Sequence, residues 1–181
     1  MRAKWLWVVA LTAAAAGCGE GRAIFDIDVF SFLSSANADI LPYRGPLLGL
    51  PDTIPAQTMN SLGIGSASLV DTVRLTGTVS FVNDSGTGTV TFQVYFDSLA
   101  DSVYTGAPAF GVTADVRPGV TTDSVIDIRD LPTALKPLFL ASKVYVGIRA
   151  SVTPAPLSGP VRGTAKLTAL RARIVVQDKI F

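Results

Sequence analysis

The sequence predicts an all-β chain, an antiparallel β-sandwich of about seven or eight strands with little helix. Three observations carry this. Apolar residues recur with period two over most of the chain, the alternating runs are bounded by Gly/Pro/Asn/Asp clusters, and no long stretch has helical spacing. With 181 residues, 49% of them hydrophobic, one domain is the default and a sizeable core is affordable. Charged residues make up only 16% and the net charge is +1, which excludes a disordered acidic chain or a basic nucleic-acid binder as the overall class.

The elements follow in order. Phe25, Ile27 and Val29 alternate with Asp26 and Asp28 as a first strand. Residues 34–68 are punctuated by Pro42, Pro46, Pro51 and Pro55, and one short edge strand of unfixed position is expected there. Val73, Leu75, Val79 and Phe81 share one phase, and Val90, Phe92, Val94 and Phe96 another, around the turn-forming run Asn83-Asp84-Ser85-Gly86-Thr87-Gly88. This pattern predicts a hairpin in which Phe81 faces Val90 and Val79 faces Phe92, with one face buried and one solvated. Phe110 to Val116 and residues 120–128 are two strands around Arg117-Pro118-Gly119. Asp130-Leu131-Pro132 opens at most a short helical turn, because Pro137 removes a hydrogen bond in its second turn. Val144 to Val152 alternate as a strand. In the last strand the phase of Val161, Ala165 and Leu167 changes to that of Leu170, Ala172, Ile174 and Val176, so a one-residue bulge near Thr168–Ala169 is expected.

The N-terminus carries an address. Arg2 and Lys4 precede an apolar run from Leu6 to Ala16, little more than half of what spans a bilayer, and it reads as a signal h-region. The run Ala15-Ala16-Gly17-Cys18 resembles the lipobox of bacterial lipoproteins. The resemblance covers the export signal alone. It implies that residues 1–17 are a signal peptide, that Cys18 is lipidated and becomes the N-terminus, and that the protein is membrane-anchored in the cell envelope. Because Gly19 is not Asp, it points to the outer membrane. Residues 18–23 are then a short tether and 24–181 the single domain. Trp5 and Trp7 depart with the signal, leaving a mature chain without tryptophan, with 13 basic and 14 acidic residues.

The available chemistry is limited. There are no histidines and one cysteine, which excludes a Ser-His-Asp triad and histidine-ligated zinc. No phosphate-binding G-x-x-x-x-G-K-[ST] pattern occurs. Asp97 and Asp101, and Asp123 and Asp127, are the acids a calcium ion would use, but their spacing is not that of an EF-hand loop, and solvated turn residues are the expectation. No metal and no cofactor beyond the covalent lipid is assigned.

Charge is distributed unevenly. Residues 18–130 carry 5 basic and 13 acidic side chains, whereas residues 131–181 carry 8 basic and 1 acidic. Arg149, Arg162, Lys166, Arg171 and Arg173 fall in the outward phase of the last strands, which makes a basic face for anionic headgroups or an acidic partner one reading. The other is cancellation by Asp26, Asp28 or Asp115 on neighbouring strands. Tyr95 and Tyr145 sit on the polar phase beside Arg149, as candidates for a binding surface together with Arg171 and Arg173. The expected function is a non-enzymatic, lipid-anchored binding or scaffolding sandwich with a membrane and an envelope protein as partners. A carrier of a hydrophobic ligand and a calcium-dependent binding module stay open as alternatives.

Overall fold

The computed structural model describes residues 21–45, 52–64 and 68–178. Nine strands form two antiparallel sheets packed face to face. They are β1 (Gly21–Asp28), β2 (Ile40–Gly45), β3 (Asp52–Asn60), β4 (Ser68–Ser85), β5 (Gly88–Asp97), β6 (Phe110–Val116), β7 (Val120–Ile128), β8 (Lys143–Pro154) and β9 (Val161–Asp178). A short helix, α1 (Val29–Ser35), and a 3₁₀ turn at Lys136–Leu140 complete the elements among the described residues. The first sheet runs β1-β9-β4-β7 with β2 also on β9, and the second runs β3-β8-β5-β6.

The 18-residue strand β9 organises the first sheet. β4 pairs along one edge for nearly its full length, while β1 and β2 lie end to end on the other, opposite 171–178 and 161–166. α1 bridges the gap between them. Asp28 caps it by accepting from the Ser31 N–H at 3.1 Å and the Ser31 hydroxyl at 2.7 Å, and Val29 and Leu33 enter the core. Those hydrogen bonds from Ser31, with Arg171 nearby, hold the Asp28 carboxyl below its ordinary range. The expected strand residue Val29 is therefore helical: the cap at Asp28 ends the extended run although the alternation continues through it. The chain leaves α1 through Asn37, which adopts φ 54° as Asn tolerates.

The expected bulge is present. The β4–β9 register shifts between Thr78 and Val79, which leaves Thr168 unpaired, and the Thr168 hydroxyl donates to the Thr78 carbonyl at 3.1 Å. Leu167 and Leu170 are thereby both turned inward and fully buried.

The expected hairpin is not formed. β4 pairs with β7 and β9, and β5 with β6 and β8, so the segment after β4 crosses from one sheet to the other. Phe81 and Phe92 are both fully buried, as their phase predicts, but on strands of opposite sheets. Period-two alternation reports which face is buried and says nothing of the neighbour. The connections from β2 to β3, β3 to β4, β6 to β7, β7 to β8 and β8 to β9 also change sheet. Residues 34–68 hold two strands, β2 and β3, rather than one. Their prolines, Pro42 and Pro55, are tolerated because both are edge strands, and the β3–β8 register shifts between Ile54 and Gln57, around Pro55. The helical turn is short, as expected, but it begins at Lys136 rather than at Asp130, with Pro137 in its first positions, where a missing N–H costs nothing.

Tyr43 of β2 closes one end of the core. It lies opposite Gly163, where a Cβ would collide with the tyrosine ring and the Val82 carbonyl. The Tyr43 hydroxyl donates toward Asn83 Oδ1, 3.2 Å away, and the buried Asn83 amide donates to the Gly86 carbonyl at 2.7 Å. Burial, with the negative charge of Asp84, pushes the Tyr43 phenol up to about 12.

Three outcomes test this arrangement. In denaturant titrations, Phe81→Ala and Phe92→Ala should each cost about 3–5 kcal/mol, while Thr78→Ala on the outer face should cost less than about 1 kcal/mol. Gly163→Ala should destabilise through the clash with Tyr43 by about 1–3 kcal/mol. The folded-state phenol of Tyr43 titrates above its unfolded value near 10, so its contribution is complete below pH 10 and lost as pH rises toward 12. Stability measured over that interval should fall less steeply in Tyr43→Phe than in the natural protein.

Candidate functional site

The two outer faces of the sandwich differ. On the second sheet, the connection between β5 and β6 folds back over the strands and covers the tyrosines. Tyr104 from this loop settles over Gly147, where an added Cβ would lie 2.9 Å from its ring. Its hydroxyl donates to the Ile54 carbonyl and accepts from the Ile148 N–H at 2.9 Å, which joins the loop to β3 and β8. Tyr104 meets Tyr95 edge to face, with ring centres 5.3 Å apart, and the Arg149 guanidinium lies beside the pair, 5.0 Å from each ring centre, donating to the Tyr95 hydroxyl at 3.2 Å. Tyr95 in turn donates to Gln93 Oε1 at 3.0 Å.

This corrects two expectations. Tyr95 is only 2% exposed and is no surface platform, because the loop that covers it cannot be read from strand phase. Arg149 is half-buried and lies on the opposite sheet from Arg162, Lys166, Arg171 and Arg173, so the five do not form one face. Tyr145 is half-buried, opposite Asp97 and Thr58.

The outer face of the first sheet is open to solvent. Arg162, Lys166, Arg171 and Arg173 are all exposed there, as their phase predicts. Register sets acids among them: Asp28 is opposite Arg171, and Asp26 is opposite Arg173. On the other side of β9, Arg173 faces Arg74, whose guanidinium pairs with Asp127 at 2.9 Å. Asp26, Arg74, Thr76, Arg171 and Arg173 surround a shallow depression of about 200 Å³. Three cations thus stand among three acids around this depression, although Arg173 and Arg74 are direct neighbours. Farther along β9, Arg162 lies opposite Arg44.

The four acids considered for calcium are separated. Asp97 ends β5 and Asp101 lies in the loop after it, whereas Asp123 and Asp127 lie on β7 of the other sheet. Burial raises the Asp97 carboxyl, but hydrogen bonds from the Leu99 N–H, Ser102 and Ser98 outweigh it and hold the group below its ordinary range. Among the described residues no group of three potential ligands is positioned for a metal ion.

Sequence reasoning missed a groove at one end of the sandwich. It has a volume of about 570 Å³ and is lined chiefly by Ile64, Leu69, Val70, Pro137, Leu140 and Ala141. Its wall forms because β7 pairs with β4 only from Leu75 onward, and the chain after β7 covers the earlier part of β4. Asp130 accepts from the Val73 N–H at 3.0 Å, and the Leu131 N–H donates to the Val73 carbonyl at 2.9 Å. Lys136 spans the gap: its ammonium donates to Asp130 and to the Asp71 carbonyl, both at 2.6 Å. Desolvation opposes ionisation of Asp130, but the bonds from Lys136 and Val73 prevail and lower its pKa. Cys18 lies outside the described residues.

No protein-family model and no curated protein matches the chain. Among solved structures, the chain is similar to the infectious bursal disease virus VP2 subviral particle, with 9% identity and a TM-score of 0.44 over 88% of this chain and 38% of that one. It is also similar to the mud crab tombus-like virus structure, at 12% identity and TM-score 0.29 over 88% and 80% of the two chains. A third is TmCBM61 in complex with β-1,4-galactotriose, at 12% identity and TM-score 0.32 over 81% and 82%. The chain spans about two fifths of the length of the infectious bursal disease virus chain of the Gx strain. At such scores the likenesses carry no argument about function.

The acids beside Arg171 and Arg173 make a testable statement about the open face. Protein with Cys18→Ser should ignore anionic vesicles at every salt concentration. Asp26→Asn combined with Asp28→Asn should unmask Arg171 and Arg173 and give weak vesicle binding, at about 1 kcal/mol per basic residue, that fades as salt rises. Binding by the unaltered face in co-sedimentation would contradict the cancellation.

Proposed function

We propose that the chain is a lipid-anchored protein of a bacterial cell envelope, placed at the outer membrane. In this reading it acts without catalysis, as a binding or scaffolding sandwich for an envelope protein. The observation that carries it is the sequence Ala15-Ala16-Gly17-Cys18 standing three residues before Gly21, where β1 begins. Those three steps span at most about 11 Å, shorter than a tether lasting to Ile24 would be. An acylated Cys18 would hold the body against the membrane surface at the end of the first sheet where β1 starts.

Two further observations support the reading. The chain has no histidine, and its lone cysteine is the residue to be acylated, so imidazole and cysteine-thiolate chemistry have no residues to use. The space between the sheets is filled by Phe81, Phe92, Phe139, Leu167, Leu170 and Ile174, all fully buried, which favours a solid scaffold over a sandwich that opens for cargo.

Processing is the direct test. The mature protein should begin at Cys18 with an added lipid mass, partition into detergent, and show tyrosine-only fluorescence. Cys18→Ser should release it from membranes. Tryptophan emission from the mature protein, or a soluble natural form, would overturn the proposal. Purification from native membranes should bring down a protein rather than free lipid; recovered free lipid would support the carrier instead.

A further inference from the structure

The end of the sandwich at which β1 begins also holds the apolar groove. Gly21 of β1, Asp178 of β9 and Ser68 of β4 are paired in one row across three strands, so two inter-strand steps, roughly 10 Å, separate Gly21 from the groove wall at Ser68. Cys18 is at most about 11 Å of chain beyond Gly21. An acyl chain, half the thickness of a hydrocarbon core, extends about 15 Å. A lipid on Cys18 is therefore within reach of the groove.

The groove has the chemistry for such a chain. Its volume of about 570 Å³ lies within the range of clefts that enclose small ligands, and apolar side chains dominate its walls. The lining cation is already satisfied: Lys136 spends its ammonium on Asp130 and the Asp71 carbonyl, its side chain is 11% exposed, and its methylene stem is left to face the cleft. Leu69 stays half-exposed, an apolar surface awaiting cover. A concave cleft suits a single chain better than it suits a flat bilayer, and a tether of three residues keeps the chain at high local concentration.

We propose that this groove seats an acyl chain of the protein's own lipid anchor on Cys18. The inference rests on the lipidation proposed above. It makes the groove an intramolecular clamp, which fixes the long axis of the sandwich relative to the anchor and removes the groove from competition for other apolar ligands.

Because the mature chain contains no tryptophan, one introduced at the groove is a clean reporter. Leu69→Trp is the first choice, with exposed Thr133→Trp as a second in case the first does not fold. Each is prepared lipidated and, for comparison, as residues 18–181 with Cys18→Ser, so that Trp5 and Trp7 are absent from both forms. The lipidated reporter should emit to the blue of the Cys18→Ser form and be shielded from acrylamide. Palmitate added to the Cys18→Ser form should reproduce that shift, while the lipidated form should need roughly 10²-fold more palmitate to respond, since its own chain competes. In the Cys18→Ser background, Leu69→Asp read through Thr133→Trp should abolish the palmitate response. A Cys18→Ser reporter that does not respond to palmitate, or a lipidated reporter as exposed as the unlipidated one, would overturn the proposal. Quenching by brominated bilayer lipids would assign the groove to the bilayer instead, and shielding that grows with protein concentration would assign it to a second copy. Either result rejects the clamp. Intact mass separates the two levels of failure: an unmodified Cys18 rejects the anchor as well, whereas a lipidated Cys18 with an open groove rejects the clamp alone.

Discussion

The structure depends on the backbone pairing of β9. One strand of 18 residues supplies the hydrogen-bonding partners of β1, β2 and β4, so three elements far apart in sequence are placed by a single template. Its bulge at Thr168 is what lets the template serve both halves. A continuous 18-residue run could not present Val161, Ala165 and Leu167 together with Leu170, Ala172 and Ile174 to one core, since the two sets differ in phase. The bulge falls where the opposite edge passes from β1 to β2, beside α1, and the Leu167 N–H donates there to the Asp39 carbonyl at 2.8 Å. Slippage of β9 by one residue would turn its apolar residues to solvent and misplace the other three strands together.

Two tyrosines repeat one device on the long strands. Tyr43 lies over Gly163 of β9, and Tyr104 lies over Gly147 of β8. In each case the absent Cβ admits an aromatic ring, and the phenol hydroxyl bonds groups of more distant segments. Tyr43 ties the edge strand β2 to the buried Asn83 corner, and Tyr104 ties the β5–β6 loop to β3 and β8. The Arg149 guanidinium belongs to the second device, since it lies against both Tyr95 and Tyr104 and donates to the Tyr95 hydroxyl and the Tyr104 carbonyl. Its charge serves architecture rather than an exposed binding face.

Six of the eight connections between the described strands cross between the sheets, and the core is therefore assembled from contacts of long sequence separation. Such topologies fold slowly, because loop closure must precede the burial that rewards it. The charge pattern is a product of the same topology. Acids from the N-terminal part and bases from the C-terminal part are brought side by side when β1 joins β9, so the asymmetry along the chain is offset along that pair of strands. The groove likewise arises from unequal strand lengths: β7 is shorter than β4, and the chain between β7 and β8 has to close the exposed edge.

Much of this was legible in the residues. Alternation determined the all-β class, the inward faces of β4, β5, β8 and β9, and the bulge at Thr168, because a side-chain period of two and a phase shift of one are properties of a single strand. Phe81 and Phe92 were core residues on that ground alone. Local signals for α1 were also present, in Asp28 before Ser31 and in Asn37, but the continuing alternation through Val29 masked them. Partners were not legible. Hydrogen bonding between strands uses the backbone, which is the same for every residue, so adjacency in sequence suggested a β4–β5 hairpin where the tertiary structure paired β4 with β9. The burial of Tyr95, the separation of Arg149 from Arg171 and Arg173, the Asp26–Arg173 and Asp28–Arg171 registers, and the groove all follow from that choice of partners. Sequence determined which side of each strand is apolar; only the packing of distant segments decided what lies beside it.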